Sequence, residues 1–370
     1  MQQNFLKVRL PWRVATVGMI VFLMAGTVWA EVASKEDARP EIPLGLDGDV
    51  FFVPADNPMT RDKVELGRLL FFDKRLSKDD TIACAACHMP EKAFTDGAPV
   101  STGIKGQKGG RSAPTAINRG FSKAQFWDGR AETLEDQSIG PFVNPIEHGF
   151  ANHDELVAKV ESIKGYRPLF KKVFATDTIT KEQIGKAIAT FQRTLISGNS
   201  PFDRYDWEGD EKAISASAIR GRKLFFDKAR CNLCHMGTNF SDEKFHNIGI
   251  GWDDEKVDLK RYEATKNPKD IGVDVGRYEV SKDVKDIGAF KTPTLREISN
   301  TAPYMHDGRF ATLEEVVAHY NKGGVKNPFM DNQIIPLNLT EAEIKDLVEM
   351  LKTLNGEGWQ QAQAPASFPR

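Results

Sequence analysis

Two clusters of cysteine and histidine carry the clearest chemistry of the sequence. They are Cys84-Ala-Ala-Cys87-His88 and Cys231-Asn-Leu-Cys234-His235, and both have the pattern C-x-x-C-H. This pattern is typical of covalent c-type haem attachment, because two thiols one helical turn apart can form thioethers with the two vinyl groups of a haem. The histidine that follows then supplies the proximal ligand of the iron. The sequence therefore predicts two covalent haems, with His88 and His235 as axial ligands.

Two other uses of a C-x-x-C pair account for the clusters less well. A zinc site would need both pairs to come together, and it gives no role to the histidine after each pair. A thioredoxin-like dithiol explains one pair at best. The chain has four cysteines and the two clusters use all of them, which favours haem attachment.

The first 30 residues have the features of a secretory signal peptide. Three basic residues, the last of them Arg13, precede the uncharged run 14–27, and Val28-Trp29-Ala30 is a small-x-small cleavage site. We therefore predict that residues 1–30 are removed and that the mature chain is periplasmic. An uncleaved anchor is the alternative, but the run is short for a membrane span, and no later segment could cross a bilayer. The formal net charge of −2 becomes more negative after cleavage, which argues against a nucleic-acid partner.

The surroundings of the two clusters repeat, so the chain is predicted to be a duplicated haem-binding unit. The matching segments are Gly67–Asp73 and Gly221–Asp227 before the clusters, and Trp127–Arg130 and His306–Arg309 after them. A repeat of this kind indicates two copies of one structural unit. The boundary falls near Ser197–Pro201, which gives domains at 31–198 and 199–370.

Each half is predicted to be mainly α-helical. Thr312 and Glu315 form a capping box ahead of an apolar stripe with helical spacing, and similar periodicity runs through Lys181–Leu195 and Thr340–Leu354. The composition, 40% apolar and 28% charged, is that of a globular chain with a large core. The stretch 256–282, rich in Gly and Lys, is predicted to be an exposed loop.

The two haem sites are predicted to differ on their distal side. The apolar stripe after Thr312 consists of Leu313, Val316, Val317 and Tyr320. The matching positions in the first half are Leu134, Gln137, Ser138 and Pro141. A phenolate is a competent iron ligand, so Tyr320 is a candidate sixth ligand of the second haem. Pro141 cannot ligate and ends its helix, so the first haem should keep an open distal position. Tyr320 as an ordinary core residue is the alternative, with Met305 and His306 as other candidate ligands.

An open ferric haem beside Gln137 has the parts to handle peroxide. Cleavage of the O–O bond needs a group that takes a proton from one oxygen and returns it to the other, and a dipole that steadies the separating charge. Glu147 is the nearest following carboxylate and lies in a stretch of low charge. An ordinary loop glutamate is the alternative, and His148 and His153 compete for the same role.

With these residues in place, the chain from about Ile42 to Gly356 resembles the bacterial di-haem cytochrome c peroxidase and MauG family. The motifs that carry the resemblance are Cys84–His88, Phe126–Arg130, Cys231–His235 and Thr301–Arg309. The resemblance implies two tandem cytochrome c-type domains, each binding one covalent c-type haem. It also implies that the N-terminal haem reacts with peroxide and that the C-terminal haem receives electrons and passes them inward.

The resemblance further implies roles for individual residues. Trp127 is the relay between the haems, and Gln137 and Glu147 are the distal pair. The peroxidase members have an axial methionine at the position of Tyr320, whereas MauG-like members have tyrosine, which points to the MauG-like branch. The peroxidase members also have a histidine in the loop after the first haem motif. The matching position is Ile104, so the first haem should react with peroxide without prior reduction.

The family also holds a calcium ion between its domains, through two carbonyl groups and an asparagine. Thr301 and Pro303 match the carbonyl positions, but Ser112 stands where the asparagine is expected. Oxygen ligands of this kind suit Ca²⁺ better than a transition metal. A calcium site is therefore implied, in weakened form.

The sequence thus predicts a periplasmic di-haem c-type peroxidase of the MauG-like type. It would reduce H₂O₂ to water with electrons from a small redox protein, a cytochrome c or a cupredoxin. Two alternatives stay open. A MauG-type enzyme would oxidise side chains of a partner protein during maturation of a quinone cofactor, and a non-catalytic di-haem carrier would only transfer electrons.

Overall fold

The computed structural model describes residues 37–370, so the predicted signal peptide at residues 1–30 lies outside the described part. The described part is mainly α-helical, as predicted. Its α-helices are α1 Arg61–Phe72, α2 Cys84–Cys87, α3 Leu134–Ile139, α4 His153–Ser162, α5 Tyr166–Phe174, α6 Lys181–Gln192, α7 Pro201–Asp203, α8 Ala216–Phe226, α9 Leu259–Thr265, α10 Tyr278–Ser281, α11 Leu313–Asn321 and α12 Glu341–Lys352. The short strands form two antiparallel pairs, β1 Ser197–Gly198 with β4 Glu357–Gly358 and β2 Phe245–His246 with β3 Phe290–Lys291.

Single turns of other helix types connect these elements. A π-helical turn covers Arg204–Glu208, and the 3₁₀ turns are Gly48–Val50, Lys74–Leu76, Pro90–Lys92, Ile104–Gly106, Arg119–Phe121, Gly140–Val143, Cys231–Leu233, Pro268–Ile271, Val284–Asp286, Ile298–Asn300 and Trp359–Gln361. Within residues 37–370, no helix has both the length and the apolar character needed to span a membrane.

The first apolar core lies where α1 packs against α6. Its buried members from these helices include Leu66, Leu70, Phe71, Ile184, Ile188 and Phe191. A Cβ atom on Gly67 would collide with the carbonyl oxygen of Ala187, so glycine is required for the close approach of the two helices. The C-terminal segment returns to this core, because Trp359 is buried there and β4 pairs with β1.

The second apolar core repeats this arrangement where α8 packs against α12. Gly221 matches Gly67 in the sequence repeat, and a Cβ atom on Gly221 would collide with the carbonyl oxygen of Asp346. The same helix crossing is therefore built twice from the same sequence pattern. The domain division at residue 198 stays a prediction.

The backbone repeats as well in the segments that follow the haem motifs. Asn118 and Glu297 occupy equivalent positions and have φ values of 59° and 62°, and the equivalent Phe126 and Met305 have 67° and 74°. Non-glycine residues adopt this left-handed region rarely, so its recurrence at matched positions is not chance. The turn that carries Trp127 thus has the same conformation as the turn that carries His306.

The helices predicted from capping and periodicity are confirmed. Thr312 and Glu315 form the predicted capping box at the start of α11, and α6 and α12 lie within the two predicted ranges. Helix α3 ends at Ile139, and the chain continues as the 3₁₀ turn that contains Pro141.

The prediction of an exposed loop at 256–282 is wrong in part. This stretch contains α9 and α10, and its Ile271 and Val275 are buried with Trp252 and Ile287 in a small third core. The lysines of the stretch are exposed. A few apolar residues among many charged ones are enough to form this small core, because Trp252 from outside the stretch packs over them.

Candidate active site

The first C-x-x-C-H cluster opens onto a cavity and presents its histidine to it. Cys84 and Cys87 begin and end α2, and Cys87 and His88 line the cavity. The Nδ1 atom of His88 lies 3.0 Å from the carbonyl oxygen of Phe94. A carbonyl only accepts hydrogen bonds, so Nδ1 carries the proton and Nε2 keeps its lone pair for a metal. Burial lowers the pKa of His88, so the ring is neutral.

The second cluster repeats this arrangement at a second cavity. Cys231, Cys234 and His235 line it, and the Nδ1 atom of His235 lies 2.9 Å from the carbonyl oxygen of Phe240. Burial lowers the pKa of His235 in the same way. Both imidazoles are therefore oriented by a backbone carbonyl a few residues downstream, as expected of metal-binding histidines.

The residues around both clusters fit covalently attached haems. The four cysteines are all unpaired with one another and half-buried. Burial raises the pKa of Cys84 and of Cys231 to about 12, so these are not exposed reactive thiolates. The second cavity in particular is lined by apolar side chains, among them Phe225, Leu313, Val316, Val317, Leu347 and Leu351. A largely apolar pocket with an imidazole whose Nε2 is free suits a porphyrin.

The first cavity also contains the predicted distal residues. Gln137 from α3, Pro141 and Glu147 all line it. Asn144 donates a hydrogen bond from Nδ2 to Oε1 of Glu147 at 2.6 Å. Burial raises the pKa of Glu147, and the charge of Arg130 and the bond from Asn144 offset this only in part. A carboxyl group with a raised pKa is suited to take and return a proton near neutral pH.

The two histidines that compete with Glu147 for this role lie elsewhere. The Nδ1 atom of His148 is 2.7 Å from the carbonyl oxygen of Leu76, and burial lowers the pKa of His148 to about 4. The Nε2 atom of His153 is 3.2 Å from the carbonyl oxygen of Ile139. Neither histidine lines a haem cavity, whereas Glu147 does.

The second cavity receives Tyr320 from α11. Leu313, Val316 and Val317 of the same helix also line it. Burial raises the pKa of Tyr320, so its phenol is neutral unless a metal draws the proton off. The Nε2 atom of His319 lies 2.9 Å from the carbonyl oxygen of Ile248 and is thus engaged by the backbone. Met305 and His306 line the cavity too, so both stay candidate ligands.

Trp127 lies between the two cavities and lines both. Its Nε1 atom donates to the carbonyl oxygen of Ser112 at 2.9 Å, and its own carbonyl oxygen accepts from the backbone N–H of Lys291 at 2.8 Å. One contact comes from the first half of the chain and the other from the second. The indole is therefore held at the junction of the two haem sites.

A charged clamp that sequence reasoning missed braces this junction. Arg111 bonds Asp274 through Nε at 2.6 Å and Nη2 at 2.8 Å, and it bonds Asp128 through Nη1 at 2.7 Å. Burial raises the pKa of Asp274, but the bonds from Arg111 outweigh this and leave it lowered. Asp128 is next to Trp127, so the clamp ties the segment of Trp127 to the second half of the chain. Arg111 and Asp274 are 163 residues apart, and no local pattern connects them.

The residues implied for calcium lie together at the second cavity. Ser112, Thr301 and Pro303 all line it. They offer one hydroxyl and two carbonyl oxygens, fewer than the six to eight oxygen ligands of a typical Ca²⁺ site and with no carboxylate. Among residues 37–370, one group of His, Cys and carboxylate side chains is close enough to hold a metal: Cys234, Asp242 and His246, within 4.8 Å of one another. Its cysteine belongs to the second haem cluster, so this group is not a separate metal site.

A mainly helical fold with two C-x-x-C-H cavities, one of which is lined by a half-buried carboxyl group, defines a di-haem peroxidase-type oxidoreductase. Comparison with known proteins agrees. Residues 61–212 match the family model described as di-haem cytochrome c peroxidase. The chain belongs to the di-haem cytochrome c peroxidase and MauG family and is an oxidoreductase. Membership of this family implies two c-type haems.

Three similar proteins illustrate this membership. The methylamine utilization protein MauG of Methylophilus methylotrophus is 38% identical over 348 residues, which cover 93% of this chain and 95% of that protein. Cytochrome c551 peroxidase of Nitrosomonas europaea is 38% identical over 306 residues, which cover 82% of this chain and 83% of that protein. A solved structure of a MauG-like protein associated with microbial copper homeostasis is 34% identical with a TM-score of 0.73, covering 87% and 95%.

Proposed function

We propose that the protein is a periplasmic peroxidase that reduces H₂O₂ to water at the haem bound by His88. The reaction consumes two electrons and two protons for each H₂O₂ and releases two molecules of water. The observation that carries this proposal is that Glu147 and Gln137 line the cavity of His88 together with Pro141, whose side chain offers no metal ligand. The predicted signal peptide supports the periplasmic location.

The chain's own residues supply the proton transfer and the orientation. A haem held by Cys84, Cys87 and His88 would supply the electron transfer to the peroxide. Glu147 would take a proton from one peroxide oxygen and return it to the other, which leaves as water. Gln137 orients the peroxide by hydrogen bonding and steadies the charge that separates as the O–O bond breaks.

In this proposal, His235 and Tyr320 would hold the second haem, which would accept electrons from the donor, and Trp127 would relay them to the first cavity. The support is the placement of Tyr320 in the second cavity and of Trp127 in the lining of both. A phenolate donates negative charge to ferric iron, so the second haem should have a lower reduction potential than a His/Met haem. The donor is a small cytochrome c or cupredoxin, and domains 31–198 and 199–370 each hold one haem.

The test is steady-state turnover of the purified di-haem protein. Reduced cytochrome c or a reduced cupredoxin is mixed with H₂O₂, and donor oxidation is followed by absorbance. We expect catalytic turnover with two donor molecules oxidised for each H₂O₂. Failure to turn over with any such donor, despite a full haem content, would contradict the proposal.

A second candidate function is oxidation of side chains in a partner protein, as in quinone cofactor maturation. Tyr320 and Ile104 favour this candidate, because the resemblance gives MauG-like members a tyrosine at the first position and peroxidase members a histidine at the second. It predicts that peroxide-treated enzyme oxidises a specific protein substrate, detected by mass spectrometry, and turns over poorly with small donors.

Calcium belongs to the proposal as well, with Ser112, Thr301 and Pro303 as its ligands, and metal analysis of the purified protein tests it.

A further inference from the structure

Gln192 is a buried polar residue that no part of the proposed reaction uses. It is the last residue of α6 and is only 6% exposed, and it lines the first cavity together with Gln137. Its Nε2 atom donates to Oγ of Ser138 at 2.9 Å and, at a longer 3.4 Å, to Oε1 of Gln137. The NH₂ group of Gln192 has two protons, so it can donate to both oxygens.

The direction of these hydrogen bonds is set by Ser138. Its Oγ donates to the carbonyl oxygen of Leu134 at 2.7 Å, which commits its single proton. It can therefore only accept from Gln192, and the amide of Gln192 must turn its NH₂ group toward Ser138 and Gln137. If the amide of Gln192 were flipped, its oxygen would face Oγ of Ser138, which has no proton to donate while it bonds Leu134. Gln137 consequently accepts at Oε1, which leaves its NH₂ group as the donor to the cavity.

The packing of α3 against α6 holds Gln192 and Gln137 close to each other. A Cβ atom on Gly185 of α6 would lie 2.8 Å from the carbonyl oxygen of Glu135, so glycine permits the close approach. Arg193, next to Gln192, forms a two-pronged ion pair with Glu135 at 2.6 Å and 3.0 Å. Asn57 donates a further hydrogen bond to Glu135 at 2.6 Å. The end of α6 is thus locked to the helix that carries Gln137.

We propose that Gln192 is a positioning residue that fixes the side-chain amide of Gln137 with its NH₂ group toward the peroxide site. This inference rests on the proposed role of Gln137. Negative charge develops on peroxide as its O–O bond breaks, so a hydrogen-bond donor beside it would accelerate the reaction and an acceptor would oppose it. Gln192 does not touch the peroxide itself and acts through Gln137.

The test uses the di-haem protein and the rate of its first reaction with H₂O₂, measured by stopped-flow absorbance. In Gln192→Glu the carboxylate can only accept, so the amide of Gln137 should turn and present its oxygen to the cavity. We expect the rate constant to fall by about tenfold or more, toward the range seen when one such donor is removed. Gln192→Met, which leaves Gln137 without a partner, should give a smaller decrease. Gln183→Glu, the same change at the capping-box position of α6, is the matched control and should leave the rate unchanged.

A double variant separates positioning from a general structural effect. If Gln192 acts through Gln137, then Gln137→Leu with Gln192→Glu should be no slower than Gln137→Leu alone. The inference is overturned if the rate decreases of the two single variants add in the double variant. It is also overturned if Gln192→Glu and Gln192→Met react as fast as the control. In either case, a slow Gln137→Leu variant still upholds the proposed function. A normal rate for Gln137→Leu would instead refute the role of Gln137 and this inference with it. Should Gln192→Glu not fold, Gln192→Met and its double variant decide the matter in the same way.

Discussion

Glu147→Gln removes the proton acceptor from the first cavity with little change in shape. The side chain keeps its size, and its amide can still contact Asn144, which bonds the carboxylate at 2.6 Å. What is lost is the group that takes a proton from one peroxide oxygen and returns it to the other. General acid–base groups contribute about 10²-fold to 10⁴-fold. We therefore expect a decrease of at least about 10²-fold in the rate with H₂O₂, or about 2.7 kcal/mol in the barrier.

The pH dependence gives the same prediction a second, independent form. Glu147 acts as a base only when it is ionised, and burial raises its pKa above the ordinary glutamate value of 4.5. The rate should therefore fall as the pH is lowered through this raised pKa, and the fall should begin at a higher pH than for an exposed glutamate. Asn144→Leu removes a bond that stabilises the carboxylate, so the pKa of Glu147 should rise and the fall should begin at a still higher pH.

The assay is stopped-flow absorbance of the ferric di-haem protein mixed with H₂O₂ across a range of pH. Glu132→Gln is the matched control, because Glu132 is exposed and does not line either cavity. The control should keep both the rate and the pH profile of the unmodified protein. Our reasoning is refuted if Glu147→Gln reacts with H₂O₂ as fast as the control. It is also refuted if the rate of Glu147→Gln still falls at low pH as it does in the unmodified protein, because another group then performs the proton transfer.

The remaining predictions concern the cofactors and the packing. A pyridine haemochrome assay should return two haems per chain, and a value of one would contradict the duplicated attachment sites. Tyr320→Phe should abolish a low-spin signal from the second haem in the EPR spectrum of the ferric protein, whereas an unchanged spectrum would assign the ligand to Met305 or His306. Gly67→Ala and Gly221→Ala should each lower the free energy of unfolding by about 1–3 kcal/mol, measured by denaturant titration, because each forces apart a packed helix pair. Gly110→Ala, where a Cβ atom meets no neighbour within 4 Å, is the control and should be nearly neutral.

Local patterns predicted those parts of the molecule whose causes are local. The C-x-x-C-H spacing places thiols and imidazole within one turn, and the capping box of Thr312 with Glu315 starts α11 where expected. Internal repetition went further, since it indicated that Tyr320 and Pro141 occupy matched places, and both line their respective cavities. The catalytic and ligand roles assigned to these residues stay predictions.

Features built from distant residues had no such signal. Arg111 meets Asp274 across 163 residues, and Gln192 meets Gln137 across 55. Each of these side chains alone is an ordinary polar residue in its own segment, and only the fold brings its partner to it. The small core under 256–282 was missed for the same reason, because Trp252 comes from outside the stretch it covers.

The central claim is that two similar haem cavities differ on their distal side, with Pro141 leaving the first open and Tyr320 closing the second. EPR spectroscopy of the ferric protein as isolated tests this most directly. We predict one high-spin signal and one low-spin signal of equal weight, with loss of the high-spin signal when H₂O₂ is added. Two low-spin signals with no high-spin component, or two high-spin signals, would contradict the claim.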